Sequence, residues 1–242
     1  DHSIWALHNT TLIGSSPSLD LLESEDEGWM DDYIIRLGSG YIIALPYMTG
    51  ERKELIQRLL DKVTEENTDG KPVVMMGHLA ITGADATGHG IEVGNIKTLD
   101  AEAMGKGYDY LALGHIHCPQ DIKGSHHHAR YCGTPLPVSF DETYPHSISI
   151  IELEKGAEPQ ISTREIENPI PLVTLPHDPT PFEDALKLLE EYPEEKPAYL
   201  RLNVLTKGYL PPDCNEKASN AAKGKACKYC YIKTTRERQA DT

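Results

Sequence analysis

Two short apolar segments, each running into Gly-His, constrain the fold of this chain more than any other feature. The first reads KPVVMMGH at residues 71–78, and the second reads DYLALGHIH at residues 109–117. Such apolar runs are typical of strands that are covered on both faces of a sheet. Before them, residues 51–67 carry apolar side chains at helical spacing between charged ones, namely Leu55, Leu59, Leu60 and Val63. The pattern therefore predicts a mixed α/β fold.

The character of the chain changes near residue 170. Up to that point, further strands are predicted within 33–48, 129–140, 146–154 and 160–167. Five prolines between residues 169 and 181 predict a linker. Beyond the linker, helices and strands are predicted to alternate, at 182–192, 198–205, 213–223 and 228–236. We therefore expect two domains, residues 1–170 and residues 171–242, of which the second is a small α+β unit.

Composition argues against several classes of protein. No run of residues approaches the roughly 18 apolar residues of a membrane span, so we expect no membrane association and a cytoplasmic location. The five cysteines are odd in number and thinly spread, which argues against a disulfide framework. The net charge of -15 does not favour nucleic-acid binding by the chain as a whole.

One segment departs from this acidic character. Residues 215–238 contain seven Lys or Arg residues against two Glu residues. The segment is either a solvated surface or a local basic patch. The second interpretation makes Lys223, Lys225 and Lys228 candidates for contacts with DNA phosphates.

Three histidines follow the two apolar segments. In an extended chain alternate side chains share a face, so His115 and His117 are expected on one side and Ile116 on the other. His78 stands in the same setting, directly after Gly77. Ligand sites of open α/β sheets lie at one edge of the strands, and neutral imidazole binds Zn, Mn and Fe. The spacing therefore predicts a metal site, and the alternative is three separate strand-end histidines that hydrogen-bond to the backbone.

The residues around these histidines resemble a known family. Gly-His after a strand, then YDYLALGHIH and RYCGTPLPVSF, are similar to the SbcD family of nuclease subunits, which are calcineurin-like metallophosphoesterases. The resemblance runs over essentially the whole chain and includes NPIPLVTLP and YCYIKTTR. It implies a partial metallophosphoesterase β-sandwich flanked by helices, followed by a small α+β capping domain that helps to hold DNA.

The resemblance also implies roles for individual residues. Two ions, expected to be Mn²⁺, would bind at the strand ends, with His78 and His115 on one ion and His117 on the other. The neighbouring loop that shapes the substrate groove would be formed by Tyr131, Gly133, Thr134 and Pro135. Two divalent ions about 4 Å apart activate water and neutralise charge on the scissile phosphate, so such a nuclease need not be basic overall.

By this resemblance the chain is part of an Mn²⁺-dependent DNA exonuclease or endonuclease that acts in repair and recombination with an SbcC-type ATPase. The family's site also needs Asp-x-His, Gly-Asp and Gly-Asn-His-Asp boxes, and this sequence contains none of them. The histidine that assists the leaving group is expected upstream of Asp1. We therefore expect the chain to be the C-terminal part of a longer protein, inactive by itself, with a homodimer only at full length.

Two other functions fit the same residues. One is a non-catalytic module that contacts DNA or a partner protein, with residues 215–238 as the contact surface. The other is a different calcineurin-like phosphoesterase, such as a phosphomonoesterase or a cyclic-nucleotide phosphodiesterase, because its metal chemistry would be the same.

Overall fold

The chain packs into two compact units. A computed structural model describes residues 11, 13–14, 16–24, 26–47, 53–85, 98–122 and 128–237. The first unit comprises residues up to Pro135 together with Tyr144–Ile166, and the second comprises Leu136–Thr143 together with residues from Glu167 onward. None of the described helices is long and apolar enough to cross a membrane.

A six-stranded sheet forms the body of the first unit. Its strands are β1 (Ile34–Leu37), β2 (Gly40–Leu45), β3 (Val73–His78), β4 (Tyr110–Gly114), β5 (Gln120–Asp121) and β6 (His128–Tyr131). They lie in the order β1-β2-β3-β4-β6-β5. The four inner strands are parallel, and each edge strand is antiparallel to its neighbour. The mixed α/β fold predicted from the apolar runs is therefore confirmed.

Helices cover one face of this sheet. They are α1 (Leu19–Glu23), α2 (Lys53–Glu66) and two 3₁₀ helices, Gly28–Asp32 and Ala101–Met104. The apolar side chains of α2 recur every three or four residues and are all buried, namely Leu55, Ile56, Leu59, Leu60 and Val63. They share one core with Met75 of β3, Leu111 of β4 and Tyr131 of β6. The predicted amphipathic helix is confirmed, and it holds the inner strands in place from this side.

The opposite face of the sheet is only partly covered in the described part of the chain. There β7 (Ser147–Glu152) and β8 (Gln160–Glu165) form an antiparallel hairpin. The hairpin contacts the sheet through a hydrogen bond from Arg130 Nε to Ser149 Oγ, 3.0 Å long. Met76 of β3 remains 44% exposed, so the prediction that this strand is covered on both faces is wrong for the described residues. The two layers are compatible with a partial metallophosphoesterase fold.

The second unit is built on a three-stranded parallel sheet. Its elements are β9 (Leu172–Thr180), α3 (Phe182–Glu190), β10 (Tyr199–Thr206), α4 (Cys214–Ala222) and β11 (Lys228–Arg236), with the strands in the order β11-β10-β9. Both helices share one core with the apolar face of the central strand, which presents Leu200, Leu202 and Val204. The predicted helices and strands beyond residue 181 are thus all present.

A buried arginine ties the segment Leu136–Thr143 to this sheet. The Arg201 guanidinium donates hydrogen bonds to Asp141 Oδ1 and to Thr174 Oγ1, both 2.9 Å long. Its central carbon lies 5.0 Å from the centre of the Phe140 ring. The hydrogen bond from Arg201 holds the pKa of Asp141 below its usual range. These contacts explain why the segment packs with the second unit.

Two expectations about the chain near residue 170 differ from the structure. The linker predicted from five prolines is wrong, because this stretch contains β9, an edge strand, where proline is tolerated. A single boundary at residue 170 assigns 136–143 to the first domain, whereas these residues pack with the second unit. The assignment of the two units as nuclease domain and capping domain stays a prediction.

Candidate metal centre

Two of the predicted histidines meet at one edge of the six-stranded sheet. Strands β3 and β4 are parallel neighbours with His78 opposite Gly114, so both strands end at the same edge. The Nε2 atom of His78 lies 3.2 Å from the Nδ1 atom of His115. The ring centroids are 5.1 Å apart and the ring planes are 72° from parallel. The structure therefore brings these two imidazoles into direct contact.

Gly114 makes room for this pair. A Cβ atom at position 114 would lie 3.2 Å from Nδ1 of His78, which is tighter than ordinary van der Waals contact. A larger residue at position 114 would press on the His78 ring. The glycine of the second Gly-His box is therefore explained by packing against the histidine of the first.

The backbone of His115 lies in the left-handed region, with a φ of 99°. A non-glycine residue held there carries about 1–3 kcal/mol of strain, and such residues cluster at functional sites. Strand β4 ends at Gly114, so side chains do not alternate regularly through His117. Strand alternation therefore does not extend to His117, because the backbone turns at His115, and the placement of both histidines on one side stays a prediction.

His117 lies in the turn beyond and is half-buried beside the buried Ile116. Its carbonyl oxygen accepts a hydrogen bond from the backbone N–H of Thr134, 3.1 Å long. Among the residues that the structure describes, no group of three or more His, Cys, Asp or Glu side chains could hold a metal ion. Metal binding by all three histidines stays a prediction.

The separation of the imidazole pair fits one divalent ion. Imidazole nitrogens bind Zn²⁺ at about 2.0–2.1 Å, which places two adjacent ligands of one ion about 3 Å apart. The nitrogens of His78 and His115, 3.2 Å apart, have this separation, although a hydrogen bond between two neutral rings has it too. Imidazole is a suitable donor for Mn²⁺, Zn²⁺ and Fe²⁺. The separation is therefore compatible with two ligands of one ion, and metal binding by the pair stays a prediction.

Burial and two hydrogen bonds fix the position of Tyr131. Its side chain is completely buried at the end of β6. The hydroxyl donates to the carbonyl oxygen of Leu79 (2.6 Å) and accepts from the N–H of Ile81 (2.8 Å), so it binds the residues directly after His78. Burial raises the pKa of Tyr131 to about 12, which keeps the hydroxyl protonated as a donor. The buried ring presents no surface for direct contact with a substrate, and the predicted part of Tyr131 in shaping a groove stays a prediction.

Gly133 and Thr134 contact the other histidine-bearing turn. Gly133 has a φ of 73°, and a Cβ atom there would lie 2.6 Å from the carbonyl oxygen of His117, so only glycine fits. Thr134 donates its backbone N–H to that same oxygen. Gly133 and Thr134 are half-buried and Pro135 is exposed, so their predicted part in a substrate groove stays a prediction.

A residue that sequence patterns did not single out supports this turn from behind. His146 is buried, and its Nδ1 atom lies 2.9 Å from the carbonyl oxygen of Thr134. Because a carbonyl can only accept, Nδ1 carries the proton in this contact. The two residues are 12 positions apart, so no local spacing in the sequence indicated the pairing.

A cavity of about 490 Å³ lies between the six-stranded sheet and the β7–β8 hairpin, with His78 in its lining. The lining is mainly apolar. Arg130 also lines the cavity, and its guanidinium donates hydrogen bonds to Asp121 Oδ1 (2.9 Å) and to Ser149 Oγ (3.0 Å). These hydrogen bonds connect β6 to β5 and to β7, so Arg130 has a structural role in holding the hairpin against the sheet.

The three lysine candidates for DNA contact differ in their surroundings. Lys223 and Lys228 are exposed. The ammonium of Lys225 donates to three backbone carbonyls at, and just beyond, the C-terminal end of α3. A cation there is stabilised by the helix dipole, so Lys225 has a structural role. DNA contact by the three lysines stays a prediction, and Lys225 is its weakest candidate.

Comparison with curated proteins identifies relatives of this chain. It is 30% identical over 142 residues to the SbcD subunit of the nuclease SbcCD from Escherichia coli (strain K12), a match that covers 57% of this chain and 35% of that protein. This chain is similar to SbcD. It is 34% identical over 106 residues to SbcD of Bacillus subtilis (strain 168), with 43% of this chain and 27% of that protein covered. It is 30% identical over 124 residues to SbcD of Rhodobacter capsulatus, with 49% and 30% covered.

The matches cover only part of this chain and part of each SbcD protein. The chain spans about a third of the length of the curated SbcD proteins that it matches. No protein-family model matches the chain. The resemblance to SbcD predicted from the histidine boxes is confirmed at the level of these pairwise similarities.

Proposed function

We propose that this chain is part of an SbcD-like, metal-dependent nuclease that hydrolyses phosphodiester bonds in DNA. The observation that carries the proposal is the 3.2 Å approach of His78 and His115 at the ends of adjacent parallel strands. The similarity to several proteins named as the SbcD component of the nuclease SbcCD supports it. That name also supports an SbcC-type ATPase as partner. We further propose that the protein acts in DNA repair and recombination in the cytoplasm.

In this proposal His78 and His115 bind one divalent ion, Mn²⁺, and His117 binds a second. Two such ions would activate water and neutralise charge on the scissile phosphate. The chain's own contribution would be to hold the imidazoles of His78 and His115 close together at one edge of the sheet. The strained backbone of His115 and the glycine before it serve this placement, because they turn the ring towards His78 as soon as the strand ends.

The chain by itself is proposed to be inactive. Its sequence contains no Asp-x-His, Gly-Asp or Gly-Asn-His-Asp box. Within the described ranges, the histidine pair is not joined by a third ligating side chain. The remaining ligands and the leaving-group histidine would come from another part of a longer polypeptide, in which the family-type homodimer would also form.

The test is Mn²⁺-dependent hydrolysis of linear duplex DNA by the longer polypeptide and by this chain alone. We expect hydrolysis by the longer polypeptide only. His78→Gln and His115→Gln should each lower its rate more than about a hundredfold, since even loss of a group that merely supports a ligand costs about 10–100-fold. The matched control is His128→Gln, at the exposed start of β6, which should leave the rate unchanged.

Two results would count against these proposals. Robust turnover by this chain alone would contradict its inactivity. Normal turnover by the longer polypeptide in both histidine variants would contradict the nuclease site. Hydrolysis of phosphomonoesters or cyclic nucleotides in preference to DNA would instead favour another phosphoesterase.

DNA contact without catalysis is a second candidate function, and one observation on the second unit favours it. Lys223 and Lys228 are exposed, and β11 contains no acidic residue. Lys223→Glu and Lys228→Glu should each weaken duplex binding and lower the slope of log K against log salt by about one unit. Lys187→Glu, at an exposed position of α3, is the matched control for the charge change. Equal losses in all three variants would contradict a local DNA-binding patch.

A further inference from the structure

We propose that the segment Tyr131–Thr134 is a positioning frame that fixes both histidine-bearing turns relative to each other. The inference rests on the proposed function, because it concerns the histidines assigned to metal binding there. The segment itself contributes no ligand. It acts through two sets of contacts, one to the residues after His78 and one to His117.

The first contact set fixes the exit of β3. The Tyr131 hydroxyl bonds both Leu79 and Ile81, which are one and three residues beyond His78. Both bonds are buried, so water cannot replace them. Because one hydroxyl closes both bonds, the chain after His78 is held to the end of β6, two strands away in the sheet.

The second contact set fixes the turn that carries His117. Gly133 packs directly against the carbonyl oxygen of His117, and Thr134 donates its N–H to that oxygen. Thr134 is itself anchored by His146, whose Nδ1–H donates to the carbonyl oxygen of Thr134. His146 thus acts on His117 through Thr134.

The frame bears on how precisely the histidine side chains are positioned. A ligand site functions only when its side chains are held within about 0.5 Å of the required positions. His78 is exposed and His115 and His117 are half-buried, so packing around the rings alone restrains them only partly. The frame adds restraint from behind, since Tyr131, Gly133 and Thr134 contact the chain after His78 and at His117. Tyr131 and His146 are therefore positioning residues.

The first test is Tyr131→Phe, which keeps the ring and removes only the hydroxyl. In this chain with ¹⁵N-labelled histidines, we expect the variant to shift the ring resonances of His78 and His115 without metal. It should also raise about tenfold the Mn²⁺ concentration that half-broadens them, the loss typical of a missing supporting group. The matched control is Tyr110→Phe on β4, since Tyr110 is also buried, yet among the described residues its hydroxyl makes no bond to 79–81.

The second test compares two variants of His146. The amide nitrogen of Asn occupies the position of the histidine Nδ1 and can still donate to the carbonyl oxygen of Thr134, whereas Phe keeps the bulk and cannot. We expect His146→Phe to shift the His117 ring resonance and to speed amide exchange at Thr134 by about fivefold or more. His146→Asn should leave both close to those of the unsubstituted chain. Val63→Ala, at a buried position of α2, controls for general destabilisation and should change neither.

The outcomes separate this inference from the proposed function. If Mn²⁺ leaves all rings of the unsubstituted chain unchanged, the metal proposal fails for this chain, and the metal-free spectra alone decide whether the frame exists. If Tyr131→Phe and His146→Phe lower the unfolding midpoint but leave the histidine rings as in the unsubstituted chain, the frame is refuted.

Discussion

Because the backbone of His115 is left-handed, we expect glycine to be more stabilising than alanine at this position, whereas at ordinary positions alanine is the more stabilising of the two. His115→Ala and His115→Gly both remove the imidazole, but only glycine adopts a φ of 99° without steric cost. A left-handed conformation costs a residue with a Cβ atom about 1–2 kcal/mol. Glycine loses about 0.4–1 kcal/mol more backbone entropy than alanine on folding. The difference leaves the glycine variant more stable than the alanine variant by about 1 kcal/mol.

The measurement is urea unfolding of the two variants, followed by fluorescence and by circular dichroism. Thermal unfolding of the same variants is a second measurement. There a difference of about 1 kcal/mol in the free energy of unfolding corresponds to about 2–4 °C in the thermal midpoint for a chain of this size. Ala112→Gly, in the interior of β4, is the matched control. There the same exchange of alanine for glycine should be destabilising by about 0.5–1 kcal/mol.

One result would refute the reasoning. If glycine lowers the stability at position 115 relative to alanine, as it should at position 112, the left-handed conformation of His115 is absent in solution. The strained turn would then not be what directs the ring towards His78.

Three further predictions concern the second unit. Arg201→Met removes the part-buried hydrogen bonds to Asp141 and to Thr174 and should lower the free energy of unfolding by about 2 kcal/mol in urea, and a loss below about 0.5 kcal/mol would show that the segment is held otherwise. The pKa of Asp141 is lowered chiefly by the Arg201 hydrogen bond, so its contribution is present at neutral pH and lost as the pH falls below about 4. The stability difference between the unsubstituted chain and Asp141→Asn should therefore shrink from about pH 6 to about pH 3, and a constant difference would argue against this ion pair. Lys225→Met should destabilise by about 1–2 kcal/mol because it uncaps α3, whereas Lys223→Met should stay within about 0.5 kcal/mol, and equal values would contradict the capping role.

Local patterns are enough to predict the elements that carry the histidines. The amphipathic spacing of α2 and the apolar runs of β3 and β4 depend on residues close in sequence, and each element forms where the pattern predicts it. The matching Gly-His ends of the two strands also predict that His78 and His115 lie at one edge, and the parallel pairing of β3 with β4 brings them together there. The site is predictable to this extent.

The remaining features depend on contacts between distant parts of the chain. The Tyr131 hydroxyl binds residues about 50 positions earlier, so the sequence around RYCGTP does not reveal that the ring points inward. The sequence Gly-His-Ile-His continues the alternation expected of a strand, although the strand ends at Gly114 and the backbone turns at His115. The prolines around Pro176 indicate a linker when the sequence stands alone, because edge and central strands cannot be told apart without the strand order.

The pairing of Asp141 with Arg201 has a consequence for synthesis on the ribosome. Sixty residues separate the two side chains, and translation adds about 5–20 residues per second. The aspartate and the phenylalanine beside it therefore leave the exit tunnel several seconds before the arginine that will cover them. During that interval the nascent chain continues into β7 and β8, while Phe140 and Asp141 have not yet met their final partner.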